Sequence, residues 1–168
     1  MAIRKNRKKP LKKPLKKPLR KPLRKLPKAS TVDNKLMRLY TRIVCKRAGY
    51  RCEICGARRT LQAHHIVGRR NMRLRYDLRN GICLCSLHHR FATDSVEQDG
   101  TTVYVYMTDN RSEDWDYLLT VKYEIRKWLI EERLVLLVLF EKLDGKREIT
   151  DRDVDKVSDL CGHNPFKT

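Results

Sequence analysis

Leu36, Leu39, Tyr40, Ile43 and Val44 recur at intervals of three and four among polar neighbours. That one-sided stripe predicts a helix capped by Thr31 or Asp33 and ending near Gly49. Residues 50–93 lose the period and are dense in Cys, His, Arg and Gly instead. Asp99-Gly100 is a turn signal, and residues 101–107 alternate as a strand does. Helical spacing returns over residues 112–129, with Trp115, Leu118, Leu119, Ile125, Trp128 and Leu129 on the inward face. Glu131-Glu132-Arg133 interrupts that face before an apolar run over 134–143, a continuation or a second helix, closed by Asp144-Gly145. Thr150 with Asp153 three residues on resembles a capping box for a last short helix ending at Cys161-Gly162. Apolar residues at such spacing belong to a core or an assembly surface, so Trp115, Trp128 and the leucines are assigned no chemistry.

The chain has 168 residues, 40% hydrophobic and 35% charged, which suits one domain with an appendage and disfavours a wholly disordered chain. Its longest apolar run, residues 134–140, is far short of the roughly 18–20 residues of a membrane-spanning helix, so no membrane partner is expected. The basic start is not followed by the apolar core and cleavage site of a signal peptide, and a soluble, cytoplasmic protein is expected. Charge is the sharper clue. The net +19 is unevenly spread: residues 1–28 hold 14 Lys+Arg and no acid, residues 29–90 hold 14 Lys+Arg against three acids, and residues 91–168 hold 11 against 17. The molecule is basic in front and acidic behind, and its front asks for an anionic partner.

From Pro10 a four-residue unit repeats, carrying Lys12, Lys13, Lys16 and Lys17 between prolines. Proline at every fourth position blocks helix and sheet ladders, and like charges extend the chain. Residues 1–30 are therefore expected to be a disordered, partly polyproline-II arm. Lysines along a phosphate backbone release condensed counterions, so these four are candidate DNA contacts with no sequence preference.

Six cysteines stand at 45, 52, 55, 83, 85 and 161. Cys52-Glu53-Ile54-Cys55 followed by Gly56 is a turn that presents two thiolates to one ion, and Cys85-Ser86-Leu87-His88 repeats the two-residue gap. Cys52, Cys55, Cys85 and His88 thus form a candidate structural Zn²⁺ site. Cys83 competes with Cys85 but fits an inward-packed role better, while Cys45, on the polar edge of the first helix, and Cys161 read as small hydrophobes.

His64 and His65 are adjacent, and on a strand they point to opposite sides, so one metal cannot easily take both. They can share a phosphate, one holding a metal and the other activating water, with His89 on a following helix as a second ligand. Asn80 and the arginines Arg69, Arg70, Arg73, Arg75 and Arg79 stand between them. Guanidinium forks suit phosphate oxygens, and Arg69 and Arg70 are the candidate DNA contacts within this stretch.

These residues resemble the HNH endonuclease family, the ββα-metal nuclease module with an added zinc knuckle. The resemblance is carried by Cys52-x-x-Cys55, His64-His65-Ile66, Asn80 five residues before Cys85, and His89 nine residues after Asn80. The layout is also similar to bacteriophage-encoded members, for which the place of action would be the host cytoplasm. Gly68 stands where the family often has proline. The resemblance implies an α+β fold: a small ββα-metal module with a zinc knuckle, flanked by an N-terminal helix and a C-terminal helical region. The expected division is an arm over 1–30, a nuclease domain with its preceding helix over 31–95, and a strand plus helices over 96–168. It implies further that His65 is the general base, that His64 and His89 bind a divalent cation (Mg²⁺, Mn²⁺ or Ni²⁺), and that Asn80 braces the loop that aligns His65. The expected activity is metal-dependent hydrolysis of phosphodiester bonds in DNA. A non-catalytic zinc-ribbon DNA-binding or recombination accessory protein is the alternative, and RNA cleavage a third. No motif speaks to oligomeric state, and a monomer is the default.

Overall fold

The computed structural model describes residues 26–162. Lys12, Lys13, Lys16 and Lys17 lie outside the described residues, as does most of the expected arm, whose last two positions, Ala29 and Ser30, already belong to a helix.

Helix α1 (Ala29–Arg47) buries Leu36, Leu39, Tyr40, Ile43 and Val44, the expected stripe. It starts before Thr31, with Lys28 at the cap. Asp33 is not a cap: its carboxylate accepts the Tyr76 hydroxyl at 2.7 Å and pairs with Arg133. Cys45 lies in the core, not on the polar edge, because the last turn of α1 lies over Cys83. Strands β1 (Leu61–His65) and β2 (Gly81–Cys85) pair antiparallel, with Leu61 opposite Cys85 and His65 opposite Gly81. β2 is buried along its whole length, β1 only partly. Gly81 makes the approach of α1 possible, since a Cβ there would stand 2.8 Å from the Tyr40 hydroxyl and would overlap Val44. After β2 the expected helix is a single π-helical turn, Leu87–Phe91, which carries His88 and His89.

Two expectations for the C-terminal half are corrected. Residues 101–107 are not a strand but the first part of helix α2 (Thr101–Asn110). Val103 and Met107, four apart, are its buried positions, and the Asp99 side chain accepts from the Thr101 amide after Gly100 turns the chain at φ +74°. The turn signal was a helix start, and burial against the module overrides the β propensity of Thr, Val and Tyr. The helix expected over 112–129 stops early. Helix α3 (Ser112–Val121) ends where the Lys122 carbonyl accepts from Asn71 at 2.6 Å, and the extended segment that follows brings the Trp128 indole to the Met72 carbonyl at 2.7 Å. Those bonds to the β1–β2 loop draw the chain out of helix and leave Ile125 and Leu129 exposed; Leu119, expected on the inward face, is exposed within α3 itself. Helix α4 (Ile130–Gly145) is a separate element, with Glu131 and Glu132 in its first turn, where acids suit the helix dipole. At the start of α5 (Asp151–Gly162) the Asp153 carboxylate accepts from the Thr150 amide, as the capping pattern predicts, while the Thr150 hydroxyl donates to that carboxylate and does not receive the Asp153 amide.

The result is the expected α+β architecture, a two-stranded module with helices on either side. One core joins α1 to α4, α5 and Cys83; a second joins Cys52, Ile82, Leu84 and Cys85 to Val103, Met107, Leu118 and Val121. Each wholly buried Leu or Ile in them contributes about 1.5–3 kcal/mol relative to exposure. Among the described residues no helix is long and apolar enough to cross a membrane.

Candidate functional site

The knuckle is made locally. Gly56 turns at φ +73°, its amide bonds the Cys52 carbonyl at 2.8 Å, and the Cys52 amide bonds Ala57 at 2.8 Å, so the two thiols of the turn face one point. Strand pairing brings Cys85, at the end of β2, to that point, and the π-helical turn adds His88. The four ligand atoms of Cys52, Cys55, Cys85 and His88 lie within 4.8 Å of one another. Cys55 Sγ is 3.9 Å from Cys85 Sγ, and His88 Nδ1 is 3.7 Å from Cys52 Sγ and 3.3 Å from Cys85 Sγ. Thiolates about 2.3 Å from a tetrahedral ion stand about 3.8 Å apart, so the cluster fits a zinc knuckle. Burial raises the Cys52 thiol. Burial acts the same way on Cys85, but hydrogen bonds from His88, Cys52 and Cys55 outweigh it and bring that thiol down to about 7, toward the thiolate a metal needs. Cys83 faces the other way, where its hydrogen bond with Cys45 and its burial hold it as a thiol.

β1 sends its last two side chains apart, as strand alternation requires. His64 Nδ1 faces His89 Nε2 at 3.2 Å, the rings edge to face. Burial, then the neighbouring His89 and His65 rings, push the His64 pKa down to about 4, and burial lowers His89 as well, so both are neutral near pH 7. Among the described residues His89 Nδ1 has no hydrogen bond, and the Glu97 carboxylate lies 3.5 Å away, where it can orient the ring. His65 turns to α1 and stacks on Tyr40, ring centroids 4.6 Å apart. Its Nε2 lies 3.0 Å from the Arg75 carbonyl. A carbonyl only accepts, so Nε2 carries the proton and Nδ1 keeps a free lone pair. Burial lowers the His65 pKa despite that hydrogen bond, and Arg69 and Arg75 lower it further.

Asn80 is wholly buried behind the two histidines. Its amide oxygen accepts from the Val67 amide at 2.6 Å, and its nitrogen donates to the carbonyls of Val67 and Leu74 at 2.9 and 3.1 Å. One side chain thus ties together both ends of the loop that presents the Arg75 carbonyl. The arginines divide. Arg73 is buried against Tyr117, Glu124 and Asp77, and Arg79 pairs with Asp155 and Asp114. Arg69 and Arg70 are exposed, with no ion pair among the described residues. His64, His65, Arg69, Arg90, Glu97 and Trp115 line a cleft of about 700 Å³.

Sequence reading missed Glu97, which nears His89 only because residues 92–100 fold back on the π-helical turn. It also missed Arg111, whose buried guanidinium binds Glu53, Asp114 and the carbonyls of Arg79 and Gly81 at 2.7–3.1 Å, locking α3 to the start of β2.

Residues 52–91 match the family described as HNH endonuclease. The match spans the four knuckle residues, both strands, His64, His65, Asn80 and His89, and leaves α1 and every element after Phe91 outside. No curated protein and no solved structure matches the chain.

Proposed function

We propose that the HNH endonuclease module of residues 52–91 makes this chain a metal-dependent endonuclease that hydrolyses phosphodiester bonds in DNA to 5′-phosphate and 3′-hydroxyl ends. The observation that carries the reading is the pairing of functions on β1: His64 faces His89, while His65, on the opposite side, keeps one free nitrogen, and both line one cleft with Arg69.

His64 Nδ1 and His89 Nε2 would hold a divalent cation, Mg²⁺, Mn²⁺ or Ni²⁺. Their 3.2 Å separation suits them, since two nitrogens about 2.1 Å from one ion stand about 3.0–3.4 Å apart. When bound, the cation supplies Lewis-acid stabilisation of charge on the phosphate and the departing 3′ oxygen. His65, its Nε2–H tied to Arg75, takes the proton of the attacking water at Nδ1. Asn80 holds the loop and so the tautomer of His65, and Glu97 orients His89. Arg69 and Arg70 bind backbone phosphates near the scissile one. Cys52, Cys55, Cys85 and His88 would hold a structural zinc ion, which would fix the turn that carries His89. Lys12, Lys13, Lys16 and Lys17 add sequence-independent attachment to DNA in the cytoplasm.

The test is incubation of the full chain with supercoiled plasmid and each cation, or with chelator. Nicking or linearisation with a cation is expected, with none in chelator and a loss of about 10²–10⁴-fold in His65→Ala, which keeps its circular dichroism and DNA binding. Wild-type cleavage by His65→Ala would remove it as the base. DNA binding by the wild type without cleavage under any cation would instead identify the non-catalytic DNA-binding protein.

A further inference from the structure

We propose, on the nuclease reading above, that the outer face of α1 and the β1–β2 loop form a second phosphate-binding cleft, built by Arg38, Arg69, Arg70 and Arg75, which grips the DNA backbone beyond His65. Arg38 belongs to α1, outside the family-matched residues; the other three come from the loop. They meet around a cleft of about 910 Å³ whose remaining lining, Thr31, Asn34 and Met37, contains no acid.

Three observations point to an anionic occupant. The other buried and half-buried arginines around the module are matched by carboxylates, Arg47 and Arg111 by Asp114, Arg73 by Asp77 and Glu124, Arg79 by Asp155, Arg133 by Asp33, while the exposed Arg51, Arg58 and Arg59, which also have no ion pair among the described residues, line none of these clefts. Among the described residues Arg38, Arg69 and Arg70 have no ion pair, and the side chain of the half-buried Arg75 meets only the Met72 sulfur and the Tyr76 ring, with its Nε unbonded. Converging guanidinium groups without a counter-charge repel one another, and a phosphate backbone supplies that charge in bidentate form. Asp33, the nearest acid in the helix, is already engaged by Tyr76 and Arg133.

The second observation is continuity. Arg69 lines this cleft, the His64–His65 cleft and a third between them, where His65 meets Arg38, Thr41 and Arg42. A strand with its scissile phosphate at His65 therefore runs onto α1 without leaving a basic surface. Arg42 contributes less, because Asp144 already pairs with it.

The third is the helix itself. Thr31, Asn34, Arg38, Thr41 and Arg42 recur at three- and four-residue intervals, one polar stripe beside the buried one. Residues 26–28 enter α1 at its Thr31 end, and the sequence of residues 1–28 carries 14 Lys+Arg.

The test is fluorescence anisotropy of the full chain with a labelled DNA duplex in chelator, from 50 to 300 mM salt, alongside plasmid cleavage. For Arg38→Ala/Arg70→Ala the slope of log K against log salt should shrink by about 1.8, the sum of two lost phosphate contacts, with affinity falling about 10- to 100-fold near 150 mM. Arg38→Ala alone, on α1 outside the matched residues, should shrink the slope by about 0.9 and leave cleavage at saturating DNA within about threefold. Arg152→Ala on α5, which removes a charge lining none of these clefts, should leave the slope unchanged. An unchanged slope in the double variant, with its circular dichroism intact, overturns the second cleft while leaving the nuclease reading in place. A shrunken slope in a protein that never cleaves upholds the cleft and removes the nuclease reading instead.

Discussion

The ring of His65 lies flat on that of Tyr40, the two planes inclined by only 11°. Tyr40 is wholly buried in α1, and its stacking leaves His65 one orientation, with Nε2 on the Arg75 carbonyl. Tyr40→Phe keeps the stack and is expected to cleave within about twofold of wild type, since the hydroxyl's bond to the Asp77 carbonyl is long at 3.4 Å. Tyr40→Leu loses the flat surface. Its kcat should fall at least about tenfold with KM little changed, at a stability cost of about 1–3 kcal/mol. Steady-state kinetics on plasmid and a urea titration separate the two effects.

Burial holds His64 down to about 4 and His65 below the usual histidine value. Lowered values mean that the neutral, proton-accepting forms persist to lower pH. The acid limb of kcat/KM should therefore bend below pH 6.5, with activity lost as pH falls through it. A pH profile at saturating cation measures the limb, and a bend above 7 would show that His65 is not buried as described.

Cys55→Ser removes one of four knuckle ligands. Emission spectrometry should find about one zinc per wild-type chain and almost none in the variant, whose thermal transition should broaden and move down, because a closed site of this kind contributes folding energy. Loss of zinc with an unchanged melt would show that the second core carries this region without it.

Glu97→Gln leaves the size of the side chain but removes the charge beside His89 Nδ1. The cation concentration for half-maximal cleavage should rise about 10- to 100-fold while the rate at saturating cation stays within a few-fold. A cation titration of plasmid nicking reads both.

Asp77 is completely buried and receives the Tyr117 and Ser158 hydroxyls at 2.7 and 2.8 Å and the Arg79 amide at 3.0 Å, with the Arg73 guanidinium 3.5 Å away. Asp77→Asn keeps the shape and leaves Arg73 under-compensated, which should cost about 2–4 kcal/mol in a urea titration.

Local relationships were legible in the sequence. Two pairs of ligands at a two-residue gap specify the knuckle with little help from the rest of the chain, strand alternation separates His64 from His65, and the 3.6-residue period gives the core face of α1. What escaped depends on tertiary partners. Residues 101–107 have strand propensity, yet the surface they cover fits Val103 and Met107 at helical spacing. Ile125 looks inward until Asn71 and the Met72 carbonyl take the backbone of 122–128 out of helix. Arg69 and Arg73 are equivalent in a string of letters, and only the carboxylates that the fold sets beside Arg73, Asp77 in the same loop and Glu124 after α3, tell them apart.

Gly81 draws a distinction between what is inherited and what can stand alone. It lies inside the matched residues, yet the space its missing side chain opens is filled by Tyr40 and Val44 from outside them. A fragment trimmed to residues 52–91 would carry the whole signature and still expose the buried strand and strip His65 of its backing. Transplanting this module into another protein therefore means transplanting α1 with it.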